Sequence, residues 1–125
     1  MDEIAKAVRA SVAWLDAANG RDQASVTFRM LKLVEEAGEA ASAWIGFTGS
    51  NPRKGVTHTS ADVAAELADV ALTAMIAIES LGMDHQSTLR ECALKITNRL
   101  ALDTAPAIAA ATAPEAQGGF GCAGT

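Results

Sequence analysis

Residues 26–45 read VTFRMLKLVEEAGEAASAWI and decide the fold class. Apolar side chains recur in this stretch every three to four residues, which is the repeat of one face of an α-helix. The repeat is carried by Val26, Met30, Leu31, Val34, Ala37, Ala41 and Ile45. We therefore predict a helix that begins at the Asp22 cap and ends near Phe47. Gly38 costs this helix about 1 kcal/mol relative to Ala, so we expect another group to approach its backbone there.

The same repeat predicts three further helices, over about 3–18, from the Thr59 cap to about 81, and over about 85–101. Thr59 and Asp62 have the spacing of a capping box. Residues 70–78 of the third helix are apolar on nearly every side, so they must be covered all round. Four helices of this length can hardly do so within one chain. We therefore expect a homodimer or a homotetramer.

Length and composition agree with one helical domain. The 125 residues include 15 Asp and Glu, 10 Lys and Arg, and only 4% aromatic side chains, with a net charge of -5. A chain rich in Ala and poor in aromatic residues favours helices over sheet. We assign residues 1–102 to an all-α domain. Residues 103–125 are mostly Ala, Pro, Gly and Thr and predict a disordered tail.

Several classes of protein are disfavoured. The acidic balance argues against nucleic-acid binding, which depends on clustered Lys and Arg. No stretch of about 18 uncharged apolar residues is present to span a bilayer, and the first residues lack a signal-peptide profile. Two cysteines are too few for a disulfide framework. We expect a soluble, cytoplasmic protein with no nucleic-acid or membrane partner.

The acidic residues of the second and third helices form two pairs. Glu36 and Glu39 are three residues apart, Glu35 lies four before Glu39, and Glu66 and Asp69 repeat the interval of three. A single such pair is usually a solvated surface. Two pairs on consecutive helices would repel strongly if they converged, unless a cation lay between them. Oxygen ligands without His or Cys suit Mg²⁺ or Mn²⁺.

The pattern Glu35-Glu36-x-x-Glu39 followed by Glu66-x-x-Asp69 resembles the signature of the MazG-like, all-α nucleoside triphosphate pyrophosphohydrolases, over about residues 24–100. The resemblance implies a four-helix MazG-like bundle that cleaves a (d)NTP to (d)NMP and pyrophosphate by attack of a metal-activated water. It implies Glu36, Glu39, Glu66 and Asp69 as ligands of Mg²⁺. Glu35, beside Glu36, would be an extra ligand or would orient the attacking water, which makes these two the candidate catalytic residues.

Four basic residues are candidates for binding the substrate phosphates. Arg53 and Lys54 form a compact basic turn that would neutralise a triphosphate, with a solubilising loop as the alternative. Lys95 and Arg99 are four apart on the fourth helix, where the family often places basic residues; pairing with the acidic helices, or solvent exposure, is the alternative.

Other readings of the same residues stay open. Phosphoribosyl-ATP pyrophosphohydrolases share the Lys-x-x-Glu-Glu-x-x-Glu pattern, but a Tyr-His pair tends to follow their Glu-x-x-Asp, and Val70-Ala71 follows here. A non-catalytic helical dimerisation or interaction module is the alternative of a different class. Lys32 has the spacing of an ion pair with Glu36. Trp14 and Trp44 could stack on a base, but a lone Trp beside apolar neighbours is more often a core residue.

Overall fold

Residues 2–112 fold into four α-helices. The structure, a computed structural model, describes residues 2–112, with side chains to residue 103. The helices are α1 (Glu3–Asn19), α2 (Gln23–Thr48), α3 (Ser60–Ser80) and α4 (His85–Thr112), and residues 2–112 contain no strand. This confirms the predicted all-α class. Within the described part of the chain, no helix has the length and apolar character needed to cross a membrane.

The helix starts lie where the capping residues predict them. Asp22 accepts a hydrogen bond from the Ser25 amide at 3.0 Å at the start of α2. At α3 the capping box is complete, because the Thr59 hydroxyl accepts from the Asp62 amide and the Asp62 carboxylate accepts from the Thr59 amide. These bonds satisfy amide groups that a helix start leaves without a partner.

The chain divides into two compact units, one up to Leu89 and one from Arg90 onward. In the first unit α2 packs along α3, and α1 packs on α3. The buried apolar side chains of the described residues are all Ala or Val: Ala5, Val8, Val12, Ala40, Ala43, Val63 and Ala77. The larger apolar side chains of the described residues are therefore half-buried or exposed.

Within the described residues nothing approaches Gly38, and the close approach occurs at Gly46 instead. A Cβ on Gly38 would meet no described atom within 4 Å, whereas one on Gly46 would collide with the imidazole of His58 and the hydroxyl of Thr57. The Thr57 amide also donates to the Gly46 carbonyl at 2.9 Å. Gly46 therefore lets the segment before α3 lie directly against α2, a contact that no local sequence pattern specifies.

The fourth helix is longer than predicted. It extends past the expected end near residue 101 to Thr112, so the helix includes the first residues that were assigned to the tail. The segment is rich in Ala, the residue with the highest helix propensity. The rest of the predicted tail, residues 113–125, lies outside the described residues.

A buried arginine joins three helices of the first unit. The Arg29 guanidinium donates to Asp16 Oδ1 at 2.8 Å, to Ser80 Oγ at 3.0 Å and to the Gly20 carbonyl at 2.8 Å. Arg21, at the surface, donates to Asp16 Oδ2 at 3.0 Å and to the Ser80 carbonyl at 3.2 Å. The ends of α1 and α3 are therefore fastened to the first turns of α2.

A second polar contact holds the start of α4 to the end of α3. His85 is buried, and its Nδ1 lies 2.6 Å from Glu79 Oε1. The same oxygen accepts from the His85 backbone amide at 3.2 Å. These hydrogen bonds from His85 are the main cause that holds the pKa of Glu79 below its usual value.

Replacing Arg29 by Met should lower the free energy of unfolding by about 3 kcal/mol, because it removes one partner of a buried ion pair. Arg21→Met is the matched control, since Arg21 pairs with the same carboxylate but is about half exposed. It should cost no more than about 1 kcal/mol. Urea denaturation followed by circular dichroism measures both. Equal losses would contradict the assigned role of Arg29.

Candidate metal centre

Three of the four predicted metal ligands converge between α2 and α3. Glu36 and Glu39 come from α2 and Glu66 from α3, and one carboxylate oxygen of each lies within 4.8 Å of the other two. Glu36 is buried, Glu66 is half-buried and Glu39 is exposed. The packing of α2 along α3 thus brings together acidic residues that lie about thirty positions apart in the chain.

The cluster is electrostatically unfavourable without a cation. The negative charge of Glu36 is the main cause that raises the pKa of Glu39, followed by desolvation and by the charge of Glu66. Like charges at this separation disfavour one another's ionised form, and a cation between them would relieve the repulsion. The donor set consists of carboxylate oxygens alone, which fits a hard cation such as Mg²⁺ or Mn²⁺.

Lys32 pairs with the edge of the cluster. Its ammonium lies 2.7 Å from Glu36 Oε1 and 3.0 Å from Glu35 Oε2. The hydrogen bond with Glu36, and then the one with Glu35, raise the pKa of Lys32 well above its usual value. The predicted ion pair between Lys32 and Glu36 is therefore confirmed. Glu35 itself is exposed and lies beside the cluster.

Asp69 is not part of this group. It is exposed on α3, one turn beyond Glu66. The group whose carboxylate oxygens lie within 4.8 Å of one another between α2 and α3 consists of Glu36, Glu39 and Glu66. The role of Asp69 as a fourth ligand stays a prediction, as does the catalytic role of Glu35.

The basic candidates lie in two places. Arg53 and Lys54 are exposed in a turn held by Asn51, whose side chain accepts from the Arg53 amide at 3.1 Å. Lys54 also lines a cavity of about 260 Å³ next to Gly46. Lys95 and Arg99 lie on α4 in the second unit, exposed and one turn apart. For all four residues, a role in binding phosphate stays a prediction.

A second feature of the site is an aromatic cavity of about 300 Å³. Trp14 and Phe28 line it with 69% and 71% of their surfaces exposed, so Trp14 is not a core residue. Its lining also includes Ser11, Leu15, Arg29, Lys32, Thr73 and Ile76. Because Lys32 belongs both to this lining and to the ion pair with Glu36, the cavity adjoins the acidic cluster.

The sequence carried one signal for this cavity. A core position is the more common one for a lone Trp beside apolar neighbours, and the exposed ring of Trp14 shows that this interpretation is wrong. The signal against it is that Trp14 stands off the apolar stripe of α1, which runs through Val8, Val12 and Leu15. Phe28 gave no comparable signal, because the cavity forms only where three helices meet.

Comparison with known proteins finds no match: no family model fits the chain, and no curated protein or solved structure is significantly similar to it. The resemblance to MazG-like enzymes therefore depends on the spacing of the acidic residues and on the order of the helices.

Adding Mn²⁺ should raise the melting temperature of the protein, and Glu39→Gln should remove most of that rise. Without metal, Glu39→Gln should melt at a higher temperature than the wild type, because the substitution relieves the repulsion that raises the pKa of Glu39. Differential scanning calorimetry measures both effects.

The control is Glu3→Gln, which removes an exposed carboxylate at the start of α1. This variant should respond to Mn²⁺ as the wild type does. An undiminished response of Glu39→Gln to Mn²⁺ would contradict the assignment of Glu39 to a metal site.

Proposed function

We propose that the protein is a Mg²⁺-dependent nucleoside triphosphate pyrophosphohydrolase of the MazG-like type, which converts a (d)NTP to a (d)NMP and pyrophosphate. The observation that carries the proposal is the convergence of Glu36, Glu39 and Glu66 beside a cavity lined by two aromatic rings. A carboxylate cluster that suits a hard cation and a neighbouring pocket that suits a base are the two parts that a nucleotide hydrolase needs.

In this proposal Glu36, Glu39 and Glu66 hold Mg²⁺, with Asp69 as the fourth ligand predicted from the motif. Mn²⁺ suits the same donors. When bound, the ion neutralises charge on the phosphate oxygens and lowers the pKa of the attacking water. The three carboxylates approach from two helices that pack along each other, so their positions are fixed by the fold rather than by a loop.

Glu35 is the proposed residue that orients the attacking water and accepts its proton. It is exposed to solvent, whereas Glu36 is buried, and it stands next to the cluster without belonging to it. Both carboxylates bind the same Lys32 ammonium. A proton acceptor must be within hydrogen-bond reach of its water, and a half-solvated carboxylate at the edge of a metal site meets that need.

The aromatic cavity is the proposed site of the nucleobase. Exposed Trp14 and Phe28 offer ring faces on which a base can stack, an interaction worth about 1–3 kcal/mol per base. The cavity volume of about 300 Å³ falls at the lower end of the range for small-molecule sites. With the base there, Lys32 stands between the nucleoside and the acidic cluster, so the triphosphate extends toward Glu36.

The remaining cations are proposed to bind phosphate oxygens. Arg53 and Lys54 follow α2, and Lys95 and Arg99 lie on α4, and all four are exposed. A triphosphate carries more negative charge than one metal ion neutralises, so phosphoryl transfer depends on additional positive groups.

We also propose that a second copy of the chain covers the outer face of α2. Leu31, Val34, Gly38, Ala41 and Ile45 repeat at intervals of three and four, which is the seam pattern of paired helices, and all five are exposed. Gly38, at the centre of this outer stripe, has open space around it and admits a neighbouring helix at close range.

The symmetry of the outer stripe favours an antiparallel homodimer. Leu31 and Ile45 each lie seven residues from Gly38, so a two-fold axis near Gly38 would place Leu31 against Ile45 of the partner subunit. Residues 70–78 of α3 also need cover, since only Ala77 is buried among them. A second pairing through that region would give the homotetramer.

With Mg²⁺, the protein should release pyrophosphate rather than orthophosphate from at least one of the common or damaged (d)NTPs. Glu66→Gln should lower turnover at least about a hundredfold. Changing a residue that only hydrogen-bonds to a metal ligand already lowers activity or metal affinity by up to about a hundredfold, and Glu66 is a proposed ligand itself. Asp69→Asn should lower turnover as much if Asp69 completes the ligand set. Ion chromatography of the products measures all of these.

Glu3→Gln should retain wild-type turnover, and far-ultraviolet circular dichroism should show intact helices in every variant. Pyrophosphate release from none of the nucleotides would contradict the proposed activity and favour the non-catalytic interaction module. Full activity of Glu66→Gln would contradict the assigned ligands.

Val34→Glu should convert the oligomer to a monomer, because it places a charge within the proposed interface, one turn from Gly38. Val56→Glu is the matched control, since Val56 is 71% exposed and Val34 69%, but Val56 lies in the segment between α2 and α3. Light scattering coupled to size-exclusion chromatography measures the mass. A wild-type monomer at micromolar concentration would refute the interface.

A further inference from the structure

We propose that Lys32 is an exchangeable counter-ion, which neutralises Glu36 before a divalent cation binds there and then transfers its ammonium to a phosphate of the substrate. This inference rests on the proposed function, and it assigns to Lys32 a role that an ordinary surface ion pair would not have.

The first observation is that Lys32 and the metal need the same carboxylate. The Lys32 ammonium lies 2.7 Å from Glu36 Oε1, and Glu36 is one of the three residues whose oxygens converge. An ammonium at hydrogen-bond distance and a divalent cation on the same carboxylate repel each other. Binding of the cation must therefore weaken the contact between Lys32 and Glu36.

The second observation is that Lys32 can move whereas Glu36 cannot. The side chain of Lys32 is 48% exposed and that of Glu36 only 11%. A lysine has a flexible four-carbon stem and donors that rotate freely. The buried carboxylate stays in place, so the exchange is a movement of the Lys32 side chain.

The third observation gives the direction of that movement. Lys32 lines the aromatic cavity together with Arg29. Arg29 is held by Asp16, Ser80 and Gly20 and is not free to change partners. Lys32 is the other basic residue of this lining, and a triphosphate that extends from the cavity to the acidic cluster must pass it.

The test is to measure Mn²⁺ binding to wild type and Lys32→Met by isothermal titration calorimetry. Removing a competing cation from a half-exposed pair should make Mn²⁺ bind about three- to fivefold more tightly. The Mn²⁺ complex of tripolyphosphate should bind Lys32→Met at least about fivefold more weakly than wild type, because the phosphate loses a charged partner. The two effects have opposite signs, which a merely structural ion pair does not predict. Lys32→Arg should keep the wild-type behaviour in both titrations.

Lys6→Met is the matched control, since Lys6 forms an ion pair with Glu3 one turn away on α1, at 3.8 Å. Its Mn²⁺ affinity should equal that of the wild type. If Lys32→Met binds Mn²⁺ no more tightly than the wild type, the competition is refuted while the proposed function stands. If Lys32→Met binds the Mn²⁺ complex of tripolyphosphate as tightly as the wild type does, the transfer of the ammonium to phosphate is refuted. If neither protein binds Mn²⁺, the proposed metal site fails, and this inference fails with it.

Discussion

The buried guanidinium of Arg29 is the interaction on which the geometry of the first unit depends. It occupies a site where an unpaired charge would be very costly, so its contacts with Asp16, Ser80 and Gly20 must form together. They fix one end of α3 against the start of α2. At the other end of α3, the Thr57 amide binds the Gly46 carbonyl of α2. The two helices are thus held near both ends, and the acidic cluster lies between those contacts, where its register is constrained from either side.

The small residues of the core have two consequences. Ala40 and Ala43 of α2 and Val63 of α3 are buried, and such short side chains let two helices approach closely. Close approach is what allows glutamate side chains from α2 and α3 to meet. Because the core of a single chain is built from small side chains, the larger apolar side chains, including those of the outer stripe, are not fully buried in it. The carboxylate cluster and the proposed dimer therefore follow from one feature of composition, a core made of Ala and Val.

The features that could be predicted from the sequence are those set by local chemistry. Asp22 and Thr59 identify the helix starts because a cap acts within one turn, and the acidic pairs of α2 and α3 follow from helical spacing. The neighbours of Gly38 and Gly46 in the sequence do not show which glycine is approached within the chain, and the packing of His58 and Thr57 against α2 decides it. The aromatic cavity likewise needs three helices in place. The separation of Asp69 from the other three acids also depends on tertiary packing, which a motif of fixed spacing does not encode.

The repulsion within the acidic cluster is the argument for the proposed metal site over a solvated surface or a docking face. Carboxylates on an exposed helix face can turn away from one another, and each then changes the pKa of its neighbour little. Glu36 is buried and has no such freedom, and its charge is the main cause that raises the pKa of Glu39. An interaction module would be more stable with an apolar residue at position 36, one turn before buried Ala40, because burial of an acid costs free energy. Lys32 offsets one negative charge at the edge of the cluster, and no ion pair among residues 2–103 includes Glu39 or Glu66. A divalent cation would relieve this repulsion, and this is the physical argument for the proposed cation-dependent site.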